Sequence, residues 1–548
     1  MQKIIKLVLS IGILSATVSA MSPAKPQYPN VLLIMTDDQG WGDVRSHGNE
    51  KIDTPIQDKL AMEGARFERF YVSPVCAPTR ASLLTGLYPH QAGVGHMVSD
   101  YGSAAYRGRL GDRCVTIAEA LARGGYRTIM VGKWHVTPFD YQTRIAADRA
   151  TWPLQRGFQA FYGTLAGGGS FFDPPGLMRD NESLKPLESD YYYTDAVSEQ
   201  AARYVREHAG KGGPMFMYVA YTSPHWPLHA RPEDVARYKG VYDMGWDAVR
   251  AGRLKRMVQL GIVDGKWRLT PRDRAVPPWE KAPHKPWEAR RMAVYAAQVD
   301  RMDQGIGRIV EALEQTGQLN NTLIFFLADN GGCAEVLRRG GWLERIGIVA
   351  KTSPEGRPMR VGNDPAIMPG PSDTFASYGV GWANASNTPF RLYKHWVHEG
   401  GIATPLIVHW PAGIPARGEL RHAPGHVIDL MATCLDAAGV EYPDRFGDRQ
   451  IIPLEGKSLL PAFENREIRR EAIYWEHEGN RAVRAGDWKL VSRHGRPWEL
   501  YNLKANRTEL QNVARDHPEC VQEMVGLYGR WAERCGVEPW PPRKSPPP

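Results

Sequence analysis

Cysteine is scarce in this 548-residue chain. The six present (Cys76, Cys114, Cys333, Cys434, Cys520 and Cys535) are too few for a disulfide framework at this length, and none has the paired spacing of a zinc site. Cys520 and Cys535 are a candidate pair within the carboxy-terminal segment, which sequence alone does not establish. Runs of one charge are missing too. The formal charge of +8 is mild and dispersed, and two units of it lie on Lys3 and Lys6. With no basic run and no nucleic-acid motif, nucleic acid is not an expected partner, whereas an anionic substrate suits the surplus. No internal repeat is present, which argues against a solenoid or propeller.

Lys3 and Lys6 precede the apolar run Leu7 to Val18, which closes on Val18-Ser19-Ala20. This reads as a secretory signal peptide over residues 1–20. The run is short for a transmembrane span and no stop-transfer pattern follows, so the expectation is a periplasmic or secreted protein without stable membrane insertion. No cysteine follows the cleavage point, so a lipid anchor is not indicated. The chain is 43% hydrophobic and 23% charged, which suits a large folded protein of more than one domain.

Four apolar runs end in polar, chemistry-bearing residues. NVLLIMTDD runs through Val31 to Met35 into Asp37 and Asp38; TLIFFLADNGG runs through Leu323 to Leu327 into Asp329 and Asn330. RTIMVGKWH ends on Lys133 and His135, and PMFMYVAYTSPHWP on His225. Each resembles a buried parallel strand with polar residues at its exit. Amphipathic helical patterns lie between them, including Ile56 to Met62, Ile117 to Ala122 and Arg291 to Leu313. The alternation predicts an α/β sheet covered by helices, in which ligands gather outside the carboxyl ends of the strands.

CAPTRASLLTG, from Cys76 to Gly86, follows the strand-like FERFYV. Pro78 suits the first turn of a helix, and Cys76 and Arg80 then stand one turn apart. A helix amino terminus beside a permanent guanidinium is a place for an anion. Standing alone, Cys76 would be read as a buried or paired cysteine.

It does not stand alone. CAPTRASLLTG carries a C-x-P-x-R core with a trailing T-G, and TDDQGWGD, GKWH, SPHWP, ADNGG and YKHWVHEGG accompany it in order across nearly all of the mature chain. This set resembles the sulfatase family, in particular bacterial arylsulfatase-like enzymes that depend on formylglycine. The resemblance implies the α/β fold of the alkaline phosphatase superfamily: a large mixed sheet flanked by helices, with a smaller carboxy-terminal domain of antiparallel sheet plus helix. It implies that a formylglycine-generating maturation enzyme oxidises Cys76 to formylglycine, whose hydrate is the nucleophile. It also implies that Asp37, Asp38, Asp329 and Asn330, with the modified Cys76, hold a metal. Four hard oxygen donors without thiolate or imidazole favour calcium or magnesium over zinc. The resemblance favours Ca2+, with Mg2+ as the alternative.

Arg80, Lys133, His135, His225 and Lys394 match the family's catalytic and sulfate-binding positions. In the implied mechanism one hydroxyl of the hydrate attacks sulfur while His225 protonates the departing alcohol oxygen and Lys133 and Lys394 hold the sulfate oxygens. His135 then takes a proton from the second hydroxyl and sulfate is eliminated. His395 and His398 lie in the last motif without an assigned role. His90, His96 and His229 are unranked candidates near the substrate.

Past PLEGKSLLPAF the pattern changes to alternating strands (EAIYWEH, NRAVRAGDWKLVSR, PWELYNL) followed by the helix-like VQEMVGLYGRWAERC. The expected division is a catalytic domain over 21–464, a carboxy-terminal α/β subdomain over 465–540 and a tail over 541–548. Two segments are candidates for lining the pocket: the Gly/Pro/Ser-rich stretch Thr352 to Phe390, read as a long loop, and the Trp-bearing insertion Asp234 to Trp287. The expected function is an exported sulfatase acting on a glycan, with sulfated galactose as the specific guess, and on aryl sulfates. A phosphate or phosphonate ester hydrolase of the same superfamily and an inactive glycan-binding relative are the alternatives.

Overall fold

The computed structural model describes residues 28–185, 188–415 and 417–542. The expected signal peptide and residues 543–548 of the expected tail lie outside them. Eleven strands form one mixed sheet whose centre is parallel. Asn30–Thr36 lies between Thr322–Ala328 and Met215–Ala220, with Arg127–Lys133 and then Ala160–Thr164 further out. Ala403–His409 runs antiparallel between Thr322–Ala328 and Ala65–Tyr71, which makes the sheet mixed.

The apolar runs are continuous because both faces of the sheet are covered. Val31, Leu33 and Met35 pack with the helices Cys76–Thr85, Ile117–Arg123 and Asp429–Ala437. Leu32 and Ile34 face the other way, into the layer of Tyr193–His208 and the 31-residue helix Lys285–Gln315. Leu33 is fully buried, and truncating such a residue to Ala costs about 2–5 kcal/mol. Because the five central strands are parallel, their polar exits emerge side by side on one edge.

A second sheet is antiparallel: Ile473–His477, Asn480–Ala485, Trp488–Ser492 and Glu499–Asn502, in sequence order. Strand alternation splits its side chains. Tyr474, Val483, Leu490 and Leu500 pack on the helix Pro518–Cys535, while Ile473, Trp475, Val491 and Tyr501 join Trp41 and Tyr71 of the larger unit. A buried ion network ties the seam: Lys489 and Arg507 both donate to Glu399, at 2.9 and 2.7 Å. The division we propose near Glu464 falls where the short helix Leu460–Phe463 ends. Cys520 and Cys535 sit near the two ends of one helix, about 22 Å apart at 1.5 Å per residue. They are free thiols, as are the other four cysteines, so the candidate disulfide is ruled out by geometry.

Candidate active site

Cys76 opens the helix Cys76–Thr85, and no side chain caps that helix end. Gly86, with φ 66°, closes it in the left-handed region that favours glycine. Cys76 Sγ lies 3.4 Å from His135 Nδ1. One turn on, Arg80 is wholly buried and its guanidinium is fixed by three acceptors: the Lys133 carbonyl at 3.1 Å, the Tyr218 hydroxyl at 3.4 Å and Asp329 at 2.7 Å.

The strand exits close around this helix end. Lys133 Nζ donates to Asp37 at 2.5 Å, and Lys394 Nζ stands 2.9 Å from Asp38. Asn330 donates its amide N–H to Asp38 at 2.7 Å. His225 Nε2 lies 3.4 Å from Asp38 and 3.3 Å from Lys394 Nζ. All of the expected site residues, Asp37, Asp38, Cys76, Arg80, Lys133, His135, His225, Asp329, Asn330 and Lys394, therefore meet in one cluster. Asp38 and His135 hold φ of 63° and 53°, a region uncommon outside glycine. Such backbone strain is tolerated where a side chain must be aimed. Two glycines let the motifs touch: a Cβ on Gly331 would stand 1.8 Å from the Gly400 carbonyl oxygen, so ADNGG and HEGG pack backbone to backbone.

Burial sets the protonation states. It pushes His135 well below the usual histidine range, with Lys133 and Arg80 adding to the effect. His225 falls to about 4, again through burial, against the pull of Asp38. Its Nδ1 is 2.6 Å from the Trp226 carbonyl and so carries a hydrogen, which leaves Nε2 as the nitrogen that exchanges a proton. Burial raises the Cys76 thiol, partly offset by Lys133 and Lys394. Asp329 rises to about 6 through burial and the neighbouring Asp37. Burial would raise Asp38 as well, but Lys394 and His225 bring it well below the carboxylate range.

The residues present fit a hard divalent cation. Asp37 Oδ1 and Asn330 Oδ1 are buried acceptors without a hydrogen-bond partner. Ligand atoms of Asp37, Cys76 and Asp329 lie within 4.8 Å of one another, as do those of Asp37, Asp38 and His225. Three carboxylates and an amide oxygen are the donor chemistry of calcium or magnesium.

Residues 29–440 match the family model described as Sulfatase, and residues 390–526 that of the N-sulphoglucosamine sulphohydrolase carboxy-terminal region. An uncharacterized sulfatase of Schizosaccharomyces pombe is 32% identical, over 94% of this chain and 95% of its own length. The chain belongs to the sulfatase family. An arylsulfatase of Klebsiella aerogenes is 33% identical over 80% of this chain and 92% of its own. A solved structure described as Ps i-CgsB in complex with k-i-k-neocarrahexaose superimposes with a TM-score of 0.66 at 26% identity, over 92% of this chain and 93% of that one. As a sulfatase the protein is a sulfuric ester hydrolase.

Cys76, His135, His225 and Lys394 of the sulfatase cluster line the floor of a cavity of about 1030 Å3, at the upper end for small-molecule sites, with the rest of the cluster packed against them. Its walls correct the two lining expectations. No residue of Thr352 to Phe390 or of Asp234 to Trp287 lines it. The first of these is also not a bare loop, since it contains the short strands Arg360–Val361 and Thr374–Phe375 and the helix Gly379–Ser386. Trp246 and Trp279 of the second pack edge-on against Trp382 as core. The walls come instead from Met97 to Ser99, Pro138 to Gln142, Trp342 to Ile348 and the hairpin turn at His477 and Glu478.

Sequence reasoning missed that hairpin. Glu478 Oε1 lies 2.9 Å from His96 Nε2, and Glu478 Oε2 lies 3.5 Å from His395 Nδ1. The His96 and His477 rings stack with centroids 5.3 Å apart. Among the unranked histidines His96 thus reaches the pocket. His90 instead pairs with Glu476, and His229 bonds the Thr374 carbonyl, both buried away from it. The available signal was a His-Glu dipeptide in a tight polar turn, EHEGN, which pattern reading takes for a hairpin connection.

Proposed function

We propose that this protein is an exported sulfatase that removes sulfate from a glycan, with a sulfated galactose unit as its substrate, and that also accepts aryl sulfates. The observation that carries the reading is the placement of Cys76 at an uncapped helix amino terminus, with His135 at its sulfur and His225 across the same cluster. In this reading Cys76 is converted to formylglycine by a maturation enzyme, and the converted residue supplies a hydroxyl nucleophile. Asp37, Asp38, Asp329 and Asn330 would hold a calcium ion, which supplies charge stabilisation for sulfate oxygens. Mg2+ fits the same donors less well, because it usually keeps several waters and takes one or two carboxylates.

The chain's own groups divide the remaining work. Lys133 and Lys394 bring positive charge to the cluster floor and suit sulfate oxygens. Arg80 is held rigidly by its three acceptors and fixes the helix end against Asp329. His135 is kept neutral by burial, which suits a base beside the nucleophile. His225 is neutral in the substrate-free cluster, and a sulfate ester's negative charge beside Lys133 and Lys394 raises its proton affinity. Its Nε2 then bears the proton that the leaving oxygen takes.

Glycan as substrate class is supported by the cavity walls. Burial holds His477 and His395 below the usual range, while the hydrogen bond from His96 keeps Glu478 ionised. Glu478 thus gives the rim a charged acceptor beside the imidazoles of His477 and His395, a set that suits sugar hydroxyls, while Asp140, Glu335 and Arg345 line the same cavity. Trp342, Trp396, Phe139 and Tyr141 add apolar faces. The test is a hydrolysis screen of sulfated mono- and oligosaccharides beside an aryl sulfate and an aryl phosphate, with mass spectrometry of the residue 76 peptide. Turnover of galactose sulfates by protein bearing an aldehyde at residue 76 is expected. Preference for the phosphate, or full activity with an intact thiol, would defeat the reading. Export is tested by sequencing the mature amino terminus, which should begin after Ala20.

A further inference from the structure

Arg484, in the strand Asn480–Ala485, is 3% exposed. Among the described residues its guanidinium has no hydrogen bond and no ion pair; its one recorded contact is with the face of Tyr71, 5.4 Å from the ring centroid. Its Nε is buried without a partner. The neighbouring carboxylates are engaged by other cations. Lys489, its cross-strand neighbour, is bound by Glu399 and Glu509, and Arg507 is bound by Glu399. Glu399 favours the Arg484 charge from a distance, but its two oxygens are taken by Lys489 and Arg507, so Arg484 is left without a direct carboxylate contact. An uncompensated buried charge is costly, so a group that persists in that state calls for a counter-ion.

A cavity of about 510 Å3 lies beside it at the seam between the two sheets, and Arg484 lines it. Arg69 and Arg470 line the same cavity. Arg470 binds Asp429 through one Nη at 2.6 Å and leaves its own Nε buried and unpartnered; Arg69 pairs with Glu68 at 2.9 Å. The carboxylates at the cavity's edge, Glu467, Glu471 and Asp487, are exposed and none pairs with Arg484. No residue is shared with the lining of the catalytic cavity. We propose that this seam cavity is a second oxyanion site, distinct from the catalytic one, which binds a sulfate group on the Arg484 guanidinium, whether free or borne on a glycan. Guanidinium groups match tetrahedral oxyanions with paired N–H donors, and sulfate is the anion that the established reaction places at hand.

Equilibrium dialysis of the Cys76→Ala protein, which does not turn over, against labelled sodium sulfate at fixed ionic strength tests this. Two sulfates per chain are expected at saturation, and one in the Cys76→Ala, Arg484→Met protein. In the active enzyme Arg484→Met should leave aryl sulfate turnover and inhibition by sulfate unchanged, because it touches neither. A carrageenan hexasaccharide offered to the same pair of proteins separates the sources: weaker binding of the hexasaccharide alone in the Met variant identifies a glycan-borne sulfate, and loss of free sulfate alone identifies the product. Should the Met variant fail to fold, Arg484→Lys keeps the charge without the planar fork and should weaken the second event at least tenfold. Unchanged binding of both probes in these variants, or joint loss of the second event and of sulfate inhibition, overturns the proposal.

Discussion

The floor and the rim of the catalytic cavity are built on opposite principles. At and beneath the floor, Asp37, Asp38, Asp329, Arg80 and Lys133 are buried and Lys394 nearly so, all in direct contact, each charge answered by another. On the rim, His96, His395 and Glu478 are partly exposed and come from loops far apart in the chain. Removing one floor charge leaves its partner buried and unpaired, whereas a rim group can fall back on water. The floor is thus committed to one chemistry, and the rim is free to set the substrate.

The largest effect should follow from Cys76→Ala. With the proposed nucleophile gone, turnover of every sulfate ester should fall by about 10⁴-fold or more, measured by sulfate release. Binding of the substrate, read by calorimetry, should survive, because the rim is intact. If sugar and aryl sulfates lost different amounts, the nucleophile would lie elsewhere.

Asp329→Ala comes next and is expected to reduce turnover by about 10³-fold or more, since Arg80 loses its carboxylate partner and the proposed metal site a donor together. Calcium binding, followed by calorimetry on the Cys76→Ala background, should drop in parallel. Calcium affinity that is unchanged would separate Asp329 from the metal and leave it as an anchor for Arg80.

The floor was legible in the sequence because each strand exit keeps its chemistry in a contiguous motif. Asp37-Asp38 and Asp329-Asn330 directly follow apolar runs, and parallel neighbours bring those exits together without further information. The rim was not, because a hairpin turn such as His477-Glu478-Gly479 carries no period and its meaning depends on contact with His96, more than 380 residues earlier. Trp246 and Trp279 misled in the opposite direction: exposure cannot be read from a tryptophan count, and both are core. Cys520 and Cys535 show the same limit, since spacing does not reveal that one helix holds them apart.

His225→Ala lies between floor and rim in its consequences. An alkoxide leaving from a sugar needs a proton in the transition state far more than an activated phenolate does. Turnover of a galactose sulfate should fall by about 10²–10⁴-fold, with little loss on a nitrophenyl sulfate. Equal losses on the two would show that His225 positions Asp38 and Lys394 instead of delivering the proton. His135→Ala should show no such discrimination, because a base beside residue 76 serves every substrate alike.

The smallest effect should come from the rim itself. Glu478→Gln keeps the shape of the turn, where residue 478 has φ 51°, but removes the charge that His96 and His395 face. A hydrogen bond to a charged group contributes about 1.5–3 kcal/mol, so KM for a sulfated oligosaccharide should rise about 10–100-fold while kcat changes little. KM for a nitrophenyl sulfate, which has no sugar hydroxyls to offer, should hold within about twofold by the same hydrogen-bond argument. A matched rise for both esters would mean that Glu478 acts on the sulfate pocket through His395 and Lys394, one residue apart in the chain, and the division between a fixed floor and a selective rim would have to be redrawn at that loop.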